Sequence, residues 1–392
     1  MKINPDSETF LINTLTKLIK KSNNSVPNEL SARFDNLANY MFTRHLMADE
    51  KSLKLYDRVL TRLFSLDFMG KKRGHRLFRV HSETEWAAIQ QQEFTAPIDK
   101  FDDFNNGNFA EHIFTDTFKL EGYTYDDICC VQSGDIVLDC GAYIGDTALY
   151  FCEKMQRNGK VFCFEPSPEI FEKLQRNIKV LSLADNAIPI NRGLSNNEGK
   201  LTFSHNEHMM GASRILSDGE IEVDVTTIDR FVEEMNLNCV NFIKMDIEGA
   251  ECDALRGGMN TIKHHRPKMA ISIYHKISDF WEIPKIILSF DPNYKFYLKH
   301  NSVGHKETVL FCVPVNKTDM VKPAPINVKR IAEIGKLYKA THAKLLKNAS
   351  DTNKQNTSGG TEKRRPILRS GASRLKQFVI RKIRKTRGDT NA

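Results

Sequence analysis

DIVLDCGAYIGDTAL, residues 135–149, reads as a short apolar strand, a tight turn and the opening of a helix. Gly141 and Gly145 give the turn backbone angles that a Cβ disfavours, and let a ligand approach the main chain. The helix opening at Asp146 and Thr147 leaves unpaired N–H groups and the positive end of its dipole facing the turn. The spacing is GxxxG. A dinucleotide fingerprint requires GxGxxG, so no pyrophosphate cradle is expected. Asp139, closing the strand, brings a carboxylate that repels phosphate and suits a cation. S-adenosylmethionine carries a sulfonium and an ammonium and no phosphate, so it fits those demands. The same residues would also serve an ordinary strand–turn–helix with packing glycines.

Three further segments extend the pattern. KVFCFEPSPEIFEKLQRN (160–177) is a strand ending at Glu165. An acid at this interval accepts hydrogen bonds from the ribose hydroxyls of a nucleoside, and Pro-Ser-Pro then starts a helix. NFIKMDIEGAECDALRGG (241–258) ends its strand at Asp246, with Glu248 and Gly249 before the next helix. Those two carboxylates suit a base, a substrate clamp or part of a metal site, and equally a helix cap worth about 1 kcal/mol. KMAISIYHKISDFWEIP (268–284) places His275 after another buried strand. Asp139, Glu165, Asp246 and His275 therefore all fall at carboxyl ends of parallel strands, the sheet edge where α/β folds bind ligands.

The rhythm around these motifs is strand–helix alternation from about residue 133, the mark of a largely parallel sheet. Strands are expected at 135–139, 160–164, 187–191, 241–245 and 268–274, with helices at 146–157, 167–180, 229–236 and 250–264. Strands at 295–300 and 307–315 are close enough for an antiparallel hairpin. The predicted fold is α/β: a Rossmann-like, seven-stranded, mostly parallel sheet with an antiparallel C-terminal hairpin. An N-terminal, mainly helical region (1–117) precedes it, with amphipathic periods at 8–21 and 37–47. Residues 118–128 alternate like an extended or hairpin segment. Beyond the 118–320 domain come a further helix (321–347) and a polar linker with a basic tail (348–392).

The chain has 392 residues, 40% hydrophobic and 27% charged, an ordinary globular composition. No run of eighteen apolar residues is present, which excludes a membrane-spanning helix. Residues 361–392 carry eleven Lys/Arg against two Asp/Glu, so the formal +8 of the whole chain less +9 for this tail leaves −1 for the rest. Eight scattered cysteines without a CxxC pair suit a reduced, cytoplasmic setting. In the tail, Leu375, Phe378, Val379 and Ile383 share one helical face among Arg and Lys, the build of a helix lying on an anionic membrane surface. The scarcity of stacking aromatics there disfavours nucleic acid.

With those residues in view, the chain resembles the FkbM-type S-adenosylmethionine-dependent methyltransferases of the class I fold. The resemblance runs from about Phe118 to Val315, through GDIVLDCGAYIGDTAL, FEPSP, VTTIDRF, FIKMDIEGAE, ISIYHKISDFWEIP and YLKHNSVGHKETVLF. Where many members carry an acid at the fifth strand's end, this chain reads Tyr274-His275. The resemblance implies methyl transfer, with S-adenosyl-L-methionine as cofactor. Asp139, Gly141, Tyr143, Gly145, Asp146, Thr147, Glu165 and Asp246 are expected on the cofactor side, and Asp246, Glu248 and His275 around the reacting centre. A hydroxyl acceptor needs its proton taken up, for which Asp246 or His275 is placed. The acceptor is expected to be a glycan or small molecule. Asp246, Glu248 and His275 are hard or borderline ligands, but no resident metal is expected. Two alternatives stay open: a nucleic-acid methyltransferase using the tail, and a cofactor-binding module without catalysis. The first is disfavoured because MDIEG stands where an NPPY-like tetrapeptide would be needed.

Overall fold

Alternating strands and helices that bury one face apiece must stack on a sheet, and they do. The computed structural model describes residues 33, 35–69, 84, 87, 88, 91, 101, 114–204, 214–215, 221–302 and 307–316. The predicted helices at 8–21 and 321–347, and the 348–392 linker and tail, lie outside these residues.

The chain divides into two units, Leu46–Leu55 with His81–Pro323, and Met1–His45 with Tyr56–Val80 and Ala324–Ala392. In the second, the described elements are helix α1 (Leu37–Leu46) and most of helix α2 (Glu50–Met69). There the buried Arg44 guanidinium pairs with both oxygens of Asp57, at 2.7 and 2.9 Å. The Tyr56 hydroxyl donates to the Tyr40 carbonyl at 3.0 Å.

The larger unit holds the seven-stranded sheet. Its strands are β1 (Ile136–Cys140), β2 (Lys160–Phe164), β3 (Ala187–Ile190), β8 (Phe242–Met245), β9 (Lys268–Ser272), β10 (Tyr294–His300) and β11 (Thr308–Pro314). Their order is β10-β11-β9-β8-β1-β2-β3. The first five run parallel, and β11 is antiparallel to both β9 and β10. The hairpin is therefore as expected, with its second strand lying inside its first. Helices α3 (Asp146–Lys154), α4 (Pro168–Val180), α5 (Ile228–Glu234), α6 (Glu251–Arg256), α7 (Met259–His265) and α8 (Asp279–Phe290) connect these strands. The helix expected over 250–264 is two helices, α6 and α7. Gly257 and Gly258 separate them, and a Cβ on Gly257 would come within 2.2 Å of the Ser195 carbonyl oxygen.

Two local expectations are corrected. Residues 118–128 pair in no ladder: Thr115–Lys119 is one π-helical turn, and only an isolated bridge joins Tyr125 to Cys129. The alternation there reflects aromatic rings turned into the core. Phe118 meets Tyr150 edge-on at 5.5 Å and Tyr125 packs on Phe311. A second sheet, absent from the sequence reading, inserts between β3 and α5. It orders β4 (Gly193–Leu194), β7 (Ile221–Thr226), β5 (Gly199–Ser204) and β6 (Arg214–Ile215). Its strands are short and half-polar, so they lack the apolar run that marks a buried strand.

Strand order reverses at β1, which has β2 on one side and β8 on the other; this is the switch point at which open α/β sheets form their ligand crevice, at the carboxyl ends of the strands. Gly141 leaves β1 at φ +84°, and its position admits no side chain: a Cβ would sit 2.0 Å from the Asp246 carbonyl oxygen. The Asp246 N–H in turn donates to the Cys140 carbonyl at 3.0 Å. Left-handed strain and backbone overlap together make Gly141→Ala destabilising by at least about 2 kcal/mol. Urea unfolding of the full chain measures it, and an unchanged midpoint would contradict this account of the turn.

Candidate functional site

Lys244, on the buried strand β8, is where the site begins. Its Nζ lies 3.2 Å from Asp139 Oδ1, with both side chains almost wholly buried. It donates to the Gly141 carbonyl at 2.5 Å and lies 5.2 Å from the centre of the Tyr123 ring. Asp139 Oδ2 accepts from the Thr147 hydroxyl at 2.6 Å. Asp139 was expected to face the ligand. Instead it lies under the turn, clamping β1, β8 and the start of α3 together, and Thr147 is consumed by the same clamp. The reason is charge: a buried ammonium requires a carboxylate, and Asp139 is its register partner across the strands.

With Asp139 withdrawn, the open rim belongs to Glu165, Asp146 and Asp246. Glu165, at the end of β2, accepts from the Ser167 N–H at 2.9 Å and from the Tyr143 backbone. Burial raises its pKa to about 7, against the pull of those N–H groups and Lys244. Asp146 opens α3 and accepts from the Thr117 hydroxyl at 3.1 Å. Burial lifts it to about 6, with Lys244 opposing. Tyr143 sits between the two glycines at φ +48°, and Gly145 at φ +95° caps α3. Gly141, Tyr143, Gly145, Asp146 and Glu165 thus share one end of the sheet, as expected.

Around Asp246 the side chains converge from three segments. The Tyr123 hydroxyl donates to Oδ2 at 3.1 Å, and the Tyr274 hydroxyl reaches Oδ1 and Oδ2 at 3.2 and 3.3 Å. His275 Nε2 lies 3.3 Å from Asp246 Oδ1 and 3.5 Å from Glu248 Oε2, and its Nδ1 pairs with Glu251 Oε1 at 2.8 Å. Glu251, wholly buried at the start of α6, also accepts from the Ile247 N–H. Glu248 holds φ +55° and Gly249 φ +101°, so the IEG turn curls back toward His275.

Desolvation pushes the His275 pKa down, but Glu251, Asp246 and Glu248 together outweigh it and raise the value to about 9. The imidazole is therefore cationic at neutral pH and does not act as a free base there. Sequence reasoning missed Lys244, Tyr123 and Glu251. Lys244 was legible as a lone charge inside the apolar strand FIKM; Tyr123 and Glu251 gave no local signal.

A raised histidine pKa stabilises the fold fully below the ordinary 6.5, and the contribution fades as pH rises through about 9. An NMR titration of metal-free protein should place the His275 midpoint near pH 9. Glu251→Gln should bring it down toward 6.5, and a wild-type midpoint near 6.5 would refute the reading.

Residues 139–316 match the Methyltransferase FkbM domain. The chain is 28% identical over 133 residues to the hexuronic acid methyltransferase AglP of Haloferax volcanii, covering 34% of this chain and 53% of that protein. It is 27% identical over 187 residues to the 2-O-methyltransferase NoeI of Sinorhizobium fredii, covering 44% and 74%. A crystal structure of methyltransferase FkbM from Methylobacillus flagellatus aligns over 71% of this chain and 59% of that one, with a TM-score of 0.48 and 21% identity. The chain spans about half the length of the Haloferax relative. Residues 139–316, the stretch similar to the FkbM methyltransferase domain, carry most of the sheet and its rim of carboxylates.

Proposed function

We propose that this protein is an S-adenosylmethionine-dependent methyltransferase that acts on a hydroxyl oxygen of a glycan or small molecule. The observation that carries the reading is the crevice beside β1. Carboxylates of Glu165, Asp146 and Asp246 edge it, and its one buried ammonium, Lys244, is neutralised from below by Asp139. Such a rim favours a cationic nucleoside over a phosphorylated one. Glu165 would hold the ribose hydroxyls, and the turn 141–147 the methionine portion. S-adenosylmethionine, when bound, supplies an electrophilic methyl group.

The protein's own task is alignment and proton uptake. Asp246 is oriented by the hydroxyls of Tyr123 and Tyr274, and it is placed to accept the proton of the acceptor hydroxyl. The His275 imidazolium beside it offsets the charge of the surrounding carboxylates. The relatives' printed names include a hexuronic acid methyltransferase and a 2-O-methyltransferase, and we extend a sugar hydroxyl to this chain as the favoured acceptor. The basic segment 373–387 is proposed to bring the enzyme to an anionic lipid surface, nucleic acid being disfavoured.

Asp246→Asn should abolish methyl transfer while leaving S-adenosylmethionine affinity within a few-fold; undiminished turnover removes Asp246 from the mechanism. Glu165→Gln should weaken that affinity by about tenfold or more, the effect of losing hydrogen bonds to a charged group. Calorimetry reads it, and binding of NAD in place of S-adenosylmethionine would overturn the cofactor. Liposomes containing anionic lipid should co-sediment the full chain and not a form lacking 361–392; equal partitioning refutes the anchor.

A further inference from the structure

One buried ring nitrogen beside Asp246 makes no hydrogen bond. The His275 side chain is only 4% exposed, and Nδ1 is committed to Glu251 Oε1. Nε2 is buried and makes no hydrogen bond, a rare condition for a ring nitrogen. Yet two carboxylate oxygens face it, Asp246 Oδ1 at 3.3 Å and Glu248 Oε2 at 3.5 Å. Those separations are too long or too bent for hydrogen bonds. Asp246 and His275, together with Glu251, offer ligand atoms within 4.8 Å of one another, and 3.3–3.5 Å is a separation that neighbouring ligands of one ion can have.

We propose that Asp246 Oδ1, Glu248 Oε2 and His275 Nε2 form a binding site for a divalent cation. Glu251 and the two tyrosines support it from outside. Two carboxylate oxygens and one imidazole nitrogen suit a cation of the Mn²⁺ or Zn²⁺ kind better than Ca²⁺, which takes oxygen throughout. A metal-bound histidine characteristically gives its other N–H to a carboxylate, and Glu251 takes that place at 2.8 Å. Ligating carboxylates are themselves hydrogen-bonded, as Asp246 is by Tyr123 and Tyr274. Glu248 is the adaptable member: it is 28% exposed, on a turn whose glycine gives it latitude. The sequence alone led to the opposite expectation, because Glu251 and the orphaned nitrogen are visible only in three dimensions.

Binding of the cation stands on this geometry alone; its role in catalysis rests on the methyl-transfer reading. A cation at this point would hold the acceptor's hydroxyl oxygen and make its proton easier to remove. Asp246 Oδ1 would serve the ion and leave Oδ2 for the proton.

The test uses the full chain stripped with EDTA, with MnCl₂ and S-adenosylmethionine titrated separately by calorimetry. One Mn²⁺ per chain is expected, and ¹⁵N-histidine labelling should change the spin-echo spectrum of the bound ion. Glu251→Gln should weaken Mn²⁺ binding by about 10–100-fold, the usual cost of losing an outer partner. Glu248→Gln, at a half-exposed position, should weaken it without disturbing the circular dichroism or S-adenosylmethionine binding. Two results overturn the site. One is a stripped wild-type chain that binds S-adenosylmethionine but takes up no Mn²⁺, Zn²⁺ or Mg²⁺. The other is undiminished Mn²⁺ binding by folded Glu248→Gln and His275→Gln variants. Uptake of Mn²⁺ with no binding of S-adenosylmethionine supports the site and counts against the transfer reading instead.

Discussion

The buried pair of Lys244 and Asp139 is the constraint on which the crevice depends. An ammonium in the middle strand of a parallel sheet has no access to water, and desolvating it costs several kcal/mol unless a carboxylate faces it. The register of β1 against β8 puts Asp139 directly opposite. That pairing leaves Lys244 with hydrogens to spare, and one goes to the Gly141 carbonyl. Thr147 then completes Asp139 from the helix side. A single ion pair thereby fixes the strand, the turn and the helix start whose backbone groups face the crevice. Apolar residues of the same volume would pack as stably, but they would leave the Gly141 carbonyl and the Thr147 hydroxyl unanswered.

That arrangement also decides which carboxylates reach a ligand. Asp139 is spent internally, so the rim's negative character comes from Glu165, Asp146 and Asp246. Burial raises the first two toward neutrality, and Lys244 resists the rise in both. A cationic ligand entering the crevice would pull in the same direction as Lys244 and favour their ionised forms.

Much of this was legible in the sequence, and the failures have physical reasons. The parallel strands announced themselves because a strand covered on both faces must be largely apolar, as IVLDC, KVFCF and FIKM are apart from Asp139, Lys160 and Lys244. The residues just beyond such strands lie at the sheet's edge, so Glu165, Asp246 and His275 could be placed there by position alone. Asp139 was misplaced by one layer because the reading counted it as a strand's last residue. It lies within β1, where its side chain belongs to the interior. Residues 118–128 deceived because alternation records which side chains are buried, and a sequence of turns over a core can bury every second ring without pairing a single strand. The sheet at 193–226 was invisible because strands with one wet face and a length of two to six residues carry too few apolar positions to register.

Histidine 275 shows where local reading ends. In sequence it is a lone imidazole after a strand, with an ordinary pKa and a choice of roles. In space three carboxylates from Asp246, Glu248 and Glu251 surround it. They come from one short stretch, folded back on itself by the positive-φ pair Glu248 and Gly249. That concentration of negative charge is costly unless something positive sits within it: a proton on the imidazole, or a cation that replaces the proton. The surrounding carboxylates favour the first when the site holds only protein. The second would use the same Nε2, so proton and cation would compete for it. A site built to hold one positive charge among three carboxylates is thereby pre-organised for the other, and the tyrosines that orient Asp246 serve either occupant unchanged.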